Sequence, residues 1–212
     1  MPKASIFIVD DHLVVCAGLK ALINTQPDMQ VTGEANSGKR ALAVLRDQPA
    51  DMVLLDINLG DMSGIDVLRD IKLRNPATRV LVLSSYPEAQ YGLNMLRAGA
   101  GGFIGKAADS AEMLRAIRQV MRGGRYLGPA LAEQLVASVD GDPDAPLHGR
   151  LSTREFQIFC KLAQGDTVSA IAAKMFLSVK TVSTYRRRVL DKLSMKNNAD
   201  LTAYAIRNEL VH

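Results

Sequence analysis

Along the first 124 residues, short apolar runs alternate with segments whose apolar positions recur at helical spacing. The runs at 6–9, 30–35, 52–55, 80–83 and 102–104 have strand length and are bounded by Asp, Gly, Ser or Pro. Between and after them, segments at 13–24, 39–46, 65–73, 88–97 and 110–121 carry a period near 3.6. In the last of these, Met113, Leu114, Ile117, Val120 and Met121 share one face. Five strand–helix units in succession predict an α/β fold: a five-stranded, doubly wound parallel sheet with helices on both faces. Right-handed crossovers leave few ways to wind it.

The pattern then changes. Gly123-Gly124 closes the alternating region, and 125–139 holds only a short helical signal carried by Leu131, Leu135 and Val136. From Asp140 to Gly149 the chain is acidic, rich in Pro and Gly and without apolar period, which reads as a flexible linker. A new helix start follows at once. Ser152 and Glu155 have capping-box spacing, and Leu151 and Phe156 occupy the positions of a hydrophobic staple. Helical segments at about 153–163, 168–175, 179–192 and 198–208 predict a second, small all-α domain. The expected boundaries are 1–123 for the first domain, 124–147 for the linker and 148–212 for the second domain.

Charge separates these pieces further. Net charge is +1 over residues 1–124, −2 over 125–150 and +5 over 151–212. A basic C-terminal piece behind a neutral one points to nucleic-acid binding. No apolar run approaches the ~20 residues of a membrane span, and the run at 6–9 is too short for a signal-peptide core. The expectation is a soluble cytoplasmic protein. Cys16 and Cys160 lie far apart within apolar helical patterns, as buried reduced thiols would.

Candidate chemistry collects at strand ends. Asp10 and Asp11 end the first strand and Asp56 ends the third. In a sheet of order 2-1-3-4-5 those two strands flank the switch point, so the carboxylates meet in one crevice. Like charges at close range raise each other's pKa unless a cation intervenes, and an all-oxygen site suits Mg²⁺ (or Mn²⁺). Ser84 ends strand four and Lys106 ends strand five. A carboxylate nucleophile, a metal, a hydroxyl and an ammonium form a set suited to phosphoryl transfer onto Asp56. A haloacid-dehalogenase-type hydrolase also uses a strand-end Asp. That chemistry wants a second Asp two residues later, where this chain has Asn58.

The set Asp10-Asp11, Asp56, Ser84 and Lys106 resembles the receiver domain of bacterial two-component response regulators. The resemblance implies Asp56 as phosphoacceptor and a sensor histidine kinase as donor. It implies Asp11 and Asp56 as direct Mg²⁺ ligands, with the Asn58 backbone carbonyl, and Asp10 acting through water. Ser84 matches the switch hydroxyl and Phe103 the switch aromatic. Two positions depart from the usual pattern: Gly60 stands where Pro is common, implying a looser loop, and Leu13 follows His12 in place of Pro. His12 itself reads as a surface or helix-cap side chain.

Residues 167–186 have the form of a helix-turn-helix. Phe176-Leu177 make the turn and Ser178 is a good N-cap. In the helix that follows, Val179, Val182, Val189 and Leu193 form the expected core stripe, while a basic, hydroxyl-rich side is suited to a major groove. From Leu151 to Leu193 the segment resembles the LuxR-type helix-turn-helix. By matching positions, Ser183, Thr184 and Arg187 are the base-contact candidates, and Lys180, Thr181, Arg186, Arg188 and Lys192 the phosphate-contact candidates. The departure here is Val168-Ser169-Ala170, where relatives carry more polar residues. The two resemblances together are the architecture of NarL/FixJ-type response regulators. They imply a non-enzymatic regulator that binds double-stranded DNA, forms a homodimer when phosphorylated, and has RNA polymerase as a further candidate partner. Leu201, Tyr204, Ala205 and Ile206 of the last helix are the expected dimer contact. A LuxR-type regulator driven by a small molecule is the rival reading, and it has no need of the acidic set.

Overall fold

The computed structural model describes residues 3–85, 88–129, 131–133, 147–208 and 210–211. The chain divides into two compact units, Met1–Leu135 and Val136–His212. In the first, strands β1 (Ala4–Val9), β2 (Met29–Ala35), β3 (Met52–Asp56), β4 (Arg79–Ser84) and β5 (Gly102–Gly105) form one parallel sheet of order β2-β1-β3-β4-β5. Helices α1 (Leu13–Asn24), α2 (Gly38–Asp47), α3 (Gly64–Arg74), α4 (Glu88–Arg97) and α5 (Ser110–Met121) connect and follow them. The predicted α/β class and strand order are those observed, and element ends agree within two residues.

The central strands are buried on both faces, as a parallel sheet under two helix layers requires. That explains why β3 reads Met-Val-Leu-Leu without alternation. One layer of the core joins Ile6, Ile8, Met52, Leu54, Leu81 and Leu83 to Leu19, Ile23, Ile117 and Val120. At the opposite end of the strands from the carboxylates, Asp51 accepts from the Ser5 backbone N–H (2.8 Å) and hydroxyl (2.7 Å), locking β1 to the entry of β3.

The chain does not leave this unit at Gly123. Tyr126 forms a parallel bridge with Gly102 on the sheet-edge strand β5, and Leu131 is fully buried. The first part of the segment expected to be linker is therefore packed. Its remainder, including Leu135, Val136 and the acidic Pro/Gly stretch up to residue 146, lies outside the described residues.

The second unit opens with a 3₁₀ turn (Leu147–Arg150), followed by α6 (Thr153–Ala163), α7 (Val168–Lys174), α8 (Val179–Leu193) and α9 (Asn198–Arg207). Each α-helix starts on a side-chain cap: Ser152, Thr167, Ser178 and Asn197. The capping box of Ser152 and Glu155 is present in both directions. Leu151, Phe156, Phe159, Ile171, Val182, Val189, Leu201 and Ala205 make the core. Both cysteines are free and buried.

Candidate functional site

Strand register builds the acidic pocket. Val9 pairs with Leu55, so Asp10 and Asp56, each one residue further on, emerge side by side from the ends of β1 and β3. Ser84 pairs with Gly105, and the Lys106 backbone N–H donates to the Ser84 carbonyl (2.7 Å). Lys106 Nζ thus reaches across the strand ends to Asp10 Oδ2 at 2.7 Å and Asp56 Oδ2 at 2.8 Å. Asp10, Asp56 and Ser84 are buried, whereas Asp11 lies toward solvent. Phe103 is fully buried in β5.

One ammonium serves two carboxylates. Burial pushes the Asp56 carboxyl above its ordinary range; Lys106 opposes the shift and the Asp10 charge adds to it. Burial disfavours the charged Lys106, but its contacts with the Asp10 and Asp56 carboxylates outweigh it and hold the ammonium above its usual value. Among the described residues Lys106 is the one lysine or arginine paired with these carboxylates, so the pocket is short of positive charge. Asp10 Oδ2 accepts no well-angled hydrogen bond, so Lys106 is its ionic neighbour alone.

His12 is exposed and stands at the N-cap position of α1, as expected, but it also contacts the pocket. It precedes α1 without capping it by side chain. Its Nδ1 turns into the pocket instead, 2.8 Å from Asp11 Oδ1 and 3.0 Å from Asp10 Oδ1. Oxygens of Asp10, Asp11 and Asp56 and the His12 ring nitrogen all lie within 4.8 Å of one another. The three carboxylates of this cluster are hard anionic donors that fit a divalent cation, and they would hold it.

The loop after Asp56 is anchored by a residue the sequence did not single out. Asp61 accepts from the backbone N–H groups of Gly38 (2.8 Å) and Lys39 (2.9 Å), at the start of α2. Burial opposes its ionisation, but these two donors prevail and its pKa lies below the usual carboxylate value. Gly60 has no positive φ, and a Cβ there would meet only Asp11 Oδ2, at 3.8 Å. Gly64 is different: a Cβ would stand 2.3 Å from the Asp56 carbonyl oxygen and 2.7 Å from Ile57 Cα. Chain and helix can meet this closely behind the acidic pocket only at glycine.

In the second unit, α8 presents Lys180, Ser183, Thr184, Arg187 and Arg188 to solvent. Arg188 lies over the Tyr185 ring (5.8 Å). The Thr184 hydroxyl donates to the Lys180 carbonyl (2.9 Å) and Arg187 Nε lies 4.0 Å from Asp191 Oδ2, both within α8, and further candidates are engaged as well. Lys192 Nζ binds Glu155 Oε2 at 2.7 Å, and Arg186 Nε donates to Asn198 Oδ1 at 2.7 Å, joining α8 to α9. Thr181 completes the Ser178 cap. Val179, expected on the core stripe, is 52% exposed at the first position of α8; Val182, Val189 and Leu193 are buried as expected. The expected dimer stripe on α9 needs a similar correction. Leu201 and Ala205 are core residues and the Tyr204 hydroxyl meets buried His148 (3.0 Å to Nδ1), so only Ile206 of that set is exposed.

An acidic pocket at the switch point of a 2-1-3-4-5 sheet, bridged by a strand-end lysine and followed by a helix-turn-helix with a basic face, defines a phosphoacceptor-type signalling module carrying a DNA-binding module. Residues 6–118 match the response regulator receiver domain and residues 149–205 the luxR family of bacterial regulatory proteins. The chain is 34% identical to the response regulator GacA of Pseudomonas aeruginosa over 208 residues, 97% of each protein. It is 31% identical to the response regulator UvrY of Escherichia coli over 207 residues, covering 97% of this chain and 95% of that one. The structure of RcsB from Salmonella enterica serovar Typhimurium, bound to a promoter with the phosphomimetic BeF₃⁻, has the same fold. Its TM-score is 0.73 at 22% identity, over 96% of this chain and 98% of that one. The chain belongs to the DNA-binding two-component response regulators of the NarL/FixJ type. Among the described residues, no helix is long and apolar enough to cross a membrane.

Proposed function

We propose that Asp56 accepts a phosphoryl group from a phosphohistidine of a sensor kinase, and that this modification controls dimerisation, DNA binding or both. The observation that carries the reading is Lys106 Nζ held between the two buried carboxylates at the ends of β1 and β3. An Asp56 oxygen attacks phosphorus, a C–O–P linkage forms, the P–N bond breaks, and the leaving imidazole takes up a proton. Lys106 neutralises charge on the transferring oxygens, Ser84 donates to the phosphoryl group, and Phe103 is the aromatic partner of that switch. Asp10, Asp11, Asp56 and the Asn58 carbonyl would hold Mg²⁺ or Mn²⁺, which supplies further charge neutralisation when bound.

On α8, Ser183, Thr184 and Arg187 are proposed to read base edges, with Lys180 and Arg188 on phosphates. Thr181, Arg186 and Lys192 have intramolecular partners and are assigned mainly to holding the helix in place. A homodimer with two such helices about 34 Å apart would match half-sites one turn apart. The domains are taken as 1–123, with Tyr126 and Leu131 packed on it, and 148–212, in a cytoplasmic protein. Genome-wide mapping of binding sites for wild type and Asp56→Ala tests the whole reading. The expected result is loss of most operator occupancy in the variant; equal occupancy at the same sites would refute phosphorylation control.

A further inference from the structure

The entry to α8 carries two apolar side chains that the core leaves out: Phe176 is 64% exposed and Val179 is 52% exposed. Phe176 also has an unusual backbone. The Leu177 N–H donates to the Ala172 carbonyl (2.9 Å) and the Phe176 N–H to the Ala173 carbonyl (3.4 Å), which closes α7 as a Schellman motif. That motif puts Phe176 in the left-handed region, at a φ of 54°, where a bulky residue is a genuine outlier. The chain closes α4, α5 and α6 with the same pair of bonds, and there Gly99, Gly123 and Gly165 take the left-handed position. Among the described residues, Ser194 after α8 is the one other non-glycine residue with positive φ, and it is small. An aromatic ring is thus held out at the one helix close that leads into α8, against the preference of its own backbone.

Val179 is the first residue of α8, and it stands one turn before Ser183 on the same side of the helix. The N-terminal residues of a recognition helix are those that approach base edges, and Lys180 beside Val179 is exposed and cationic. In a major groove the feature an apolar side chain can read is the thymine 5-methyl group. We propose that Val179 and Phe176 form an apolar tip on α8 that recognises thymine methyl groups in the operator; this rests on the DNA-reading assignment of α8 above. The tip adds apolar readout to the polar readout of Ser183, Thr184 and Arg187. Glycine would suit the backbone at 176 better, but it has no side chain to set against a methyl group.

Deoxyuridine differs from thymidine by that methyl group alone, so base-by-base replacement tests the tip. The full chain, with Mg²⁺ and beryllium fluoride present, selects its preferred site from a random duplex library. Each thymine of that site is then replaced in turn, and binding of wild type, Phe176→Asn and Val179→Ser is measured by fluorescence anisotropy. Covering one methyl group is worth about fourfold in affinity. Wild type is expected to lose that factor at one or more thymines, and both variants to bind the thymine and deoxyuridine duplexes equally at those positions. Equal losses in wild type and both variants, or a selected site with no methyl-dependent thymine, would overturn the proposal. A variant that keeps the full methyl effect removes its residue from the tip. If wild type selects no sequence, the DNA-reading assignment itself fails and the tip falls with it. Melting separates contact from packing. Asn is at home in the left-handed region, so Phe176→Asn is expected to melt at or above the wild-type temperature; a clear fall would make Phe176 a packing residue of the turn and overturn its part.

Discussion

Lys192→Ala separates two roles that α8 residues share in principle. By position Lys192 is a phosphate-contact candidate, but its ammonium sits 2.7 Å from Glu155 Oε2, a buried carboxylate that also accepts from the Ser152 N–H at 2.7 Å. Removing one partner of a fully buried pair costs about 3–5 kcal/mol, and a charge-assisted hydrogen bond contributes about 1.5–3. The Lys192 side chain is 42% exposed, so water reaches the vacated side and the lower range applies. A helical domain of some sixty residues has only about 3–9 kcal/mol of stability, so a loss near 2 kcal/mol lowers its melting temperature by roughly 10–15 °C. The contribution is pH-dependent. Burial opposes ionisation of Glu155, but Lys192 and the Ser152 cap prevail and its pKa is lowered. The stability is therefore present above the unfolded carboxylate value and lost as pH falls through the folded one. The assay is thermal unfolding by circular dichroism, paired with binding of a fluorescent duplex across a salt series. At temperatures where the variant is folded, its salt slope should equal that of wild type, whereas Lys180→Ala should reduce it by about one. A Lys192→Ala protein that melts like wild type and loses about one unit of slope would refute the structural assignment.

Other substitutions test the receiver-side geometry and the helix start. Gly64→Ala forces a Cβ into the Asp56 carbonyl and should destabilise by about 1–3 kcal/mol; unfolding at the wild-type urea midpoint would contradict the close approach. Asp61→Ala removes the acceptor for two backbone N–H groups of α2 and should cost about 0.5–2 kcal/mol. Because the Asp61 pKa is lowered, that difference is expected to be full at pH 7 and to disappear as pH falls through its folded value, which urea titrations at pH 7 and pH 3 would read. Gly60→Ala meets no steric conflict, so a gain of about 0.4–1 kcal/mol is expected from the less flexible unfolded chain; a clear loss would show that the loop needs glycine. Val179→Ala should leave the melting temperature of the second unit nearly unchanged, since exposed positions shift stability by about 0.5 kcal/mol or less. A melting shift as large as that of Val182→Ala would return Val179 to the core.

Much of the molecule was legible in advance because its signals are local. The double-sided burial of β3 appears as an unbroken apolar run, and Ser152 with Glu155 announces α6 at its first turn. The pocket was legible for a further reason: a parallel sheet of this order has one crevice, so strand-end Asp10, Asp56 and Lys106 had to share it. Residues were misplaced where an apolar position alone had to tell inward from outward. Val179 continues the apolar period of α8 but is exposed at its first position, and Leu201 and Ala205 are apolar because they are buried in the core of their own domain.

By itself the sequence determined the two units, their elements and the company of carboxylates, hydroxyl and ammonium at the strand ends. These follow from apolar period, capping chemistry and the winding rules of parallel sheets, all readable from near neighbours. Only the tertiary structure decided that His12 turns into the acidic pocket, that Asp61 caps a helix 22 residues earlier, that Lys192 supports Glu155, and that Tyr126 and Leu131 extend the sheet edge and α4. Apart from the His12 contacts with its neighbours Asp10 and Asp11, each joins segments distant in sequence, and neither partner carries a mark of the other until the fold brings them within a few ångströms.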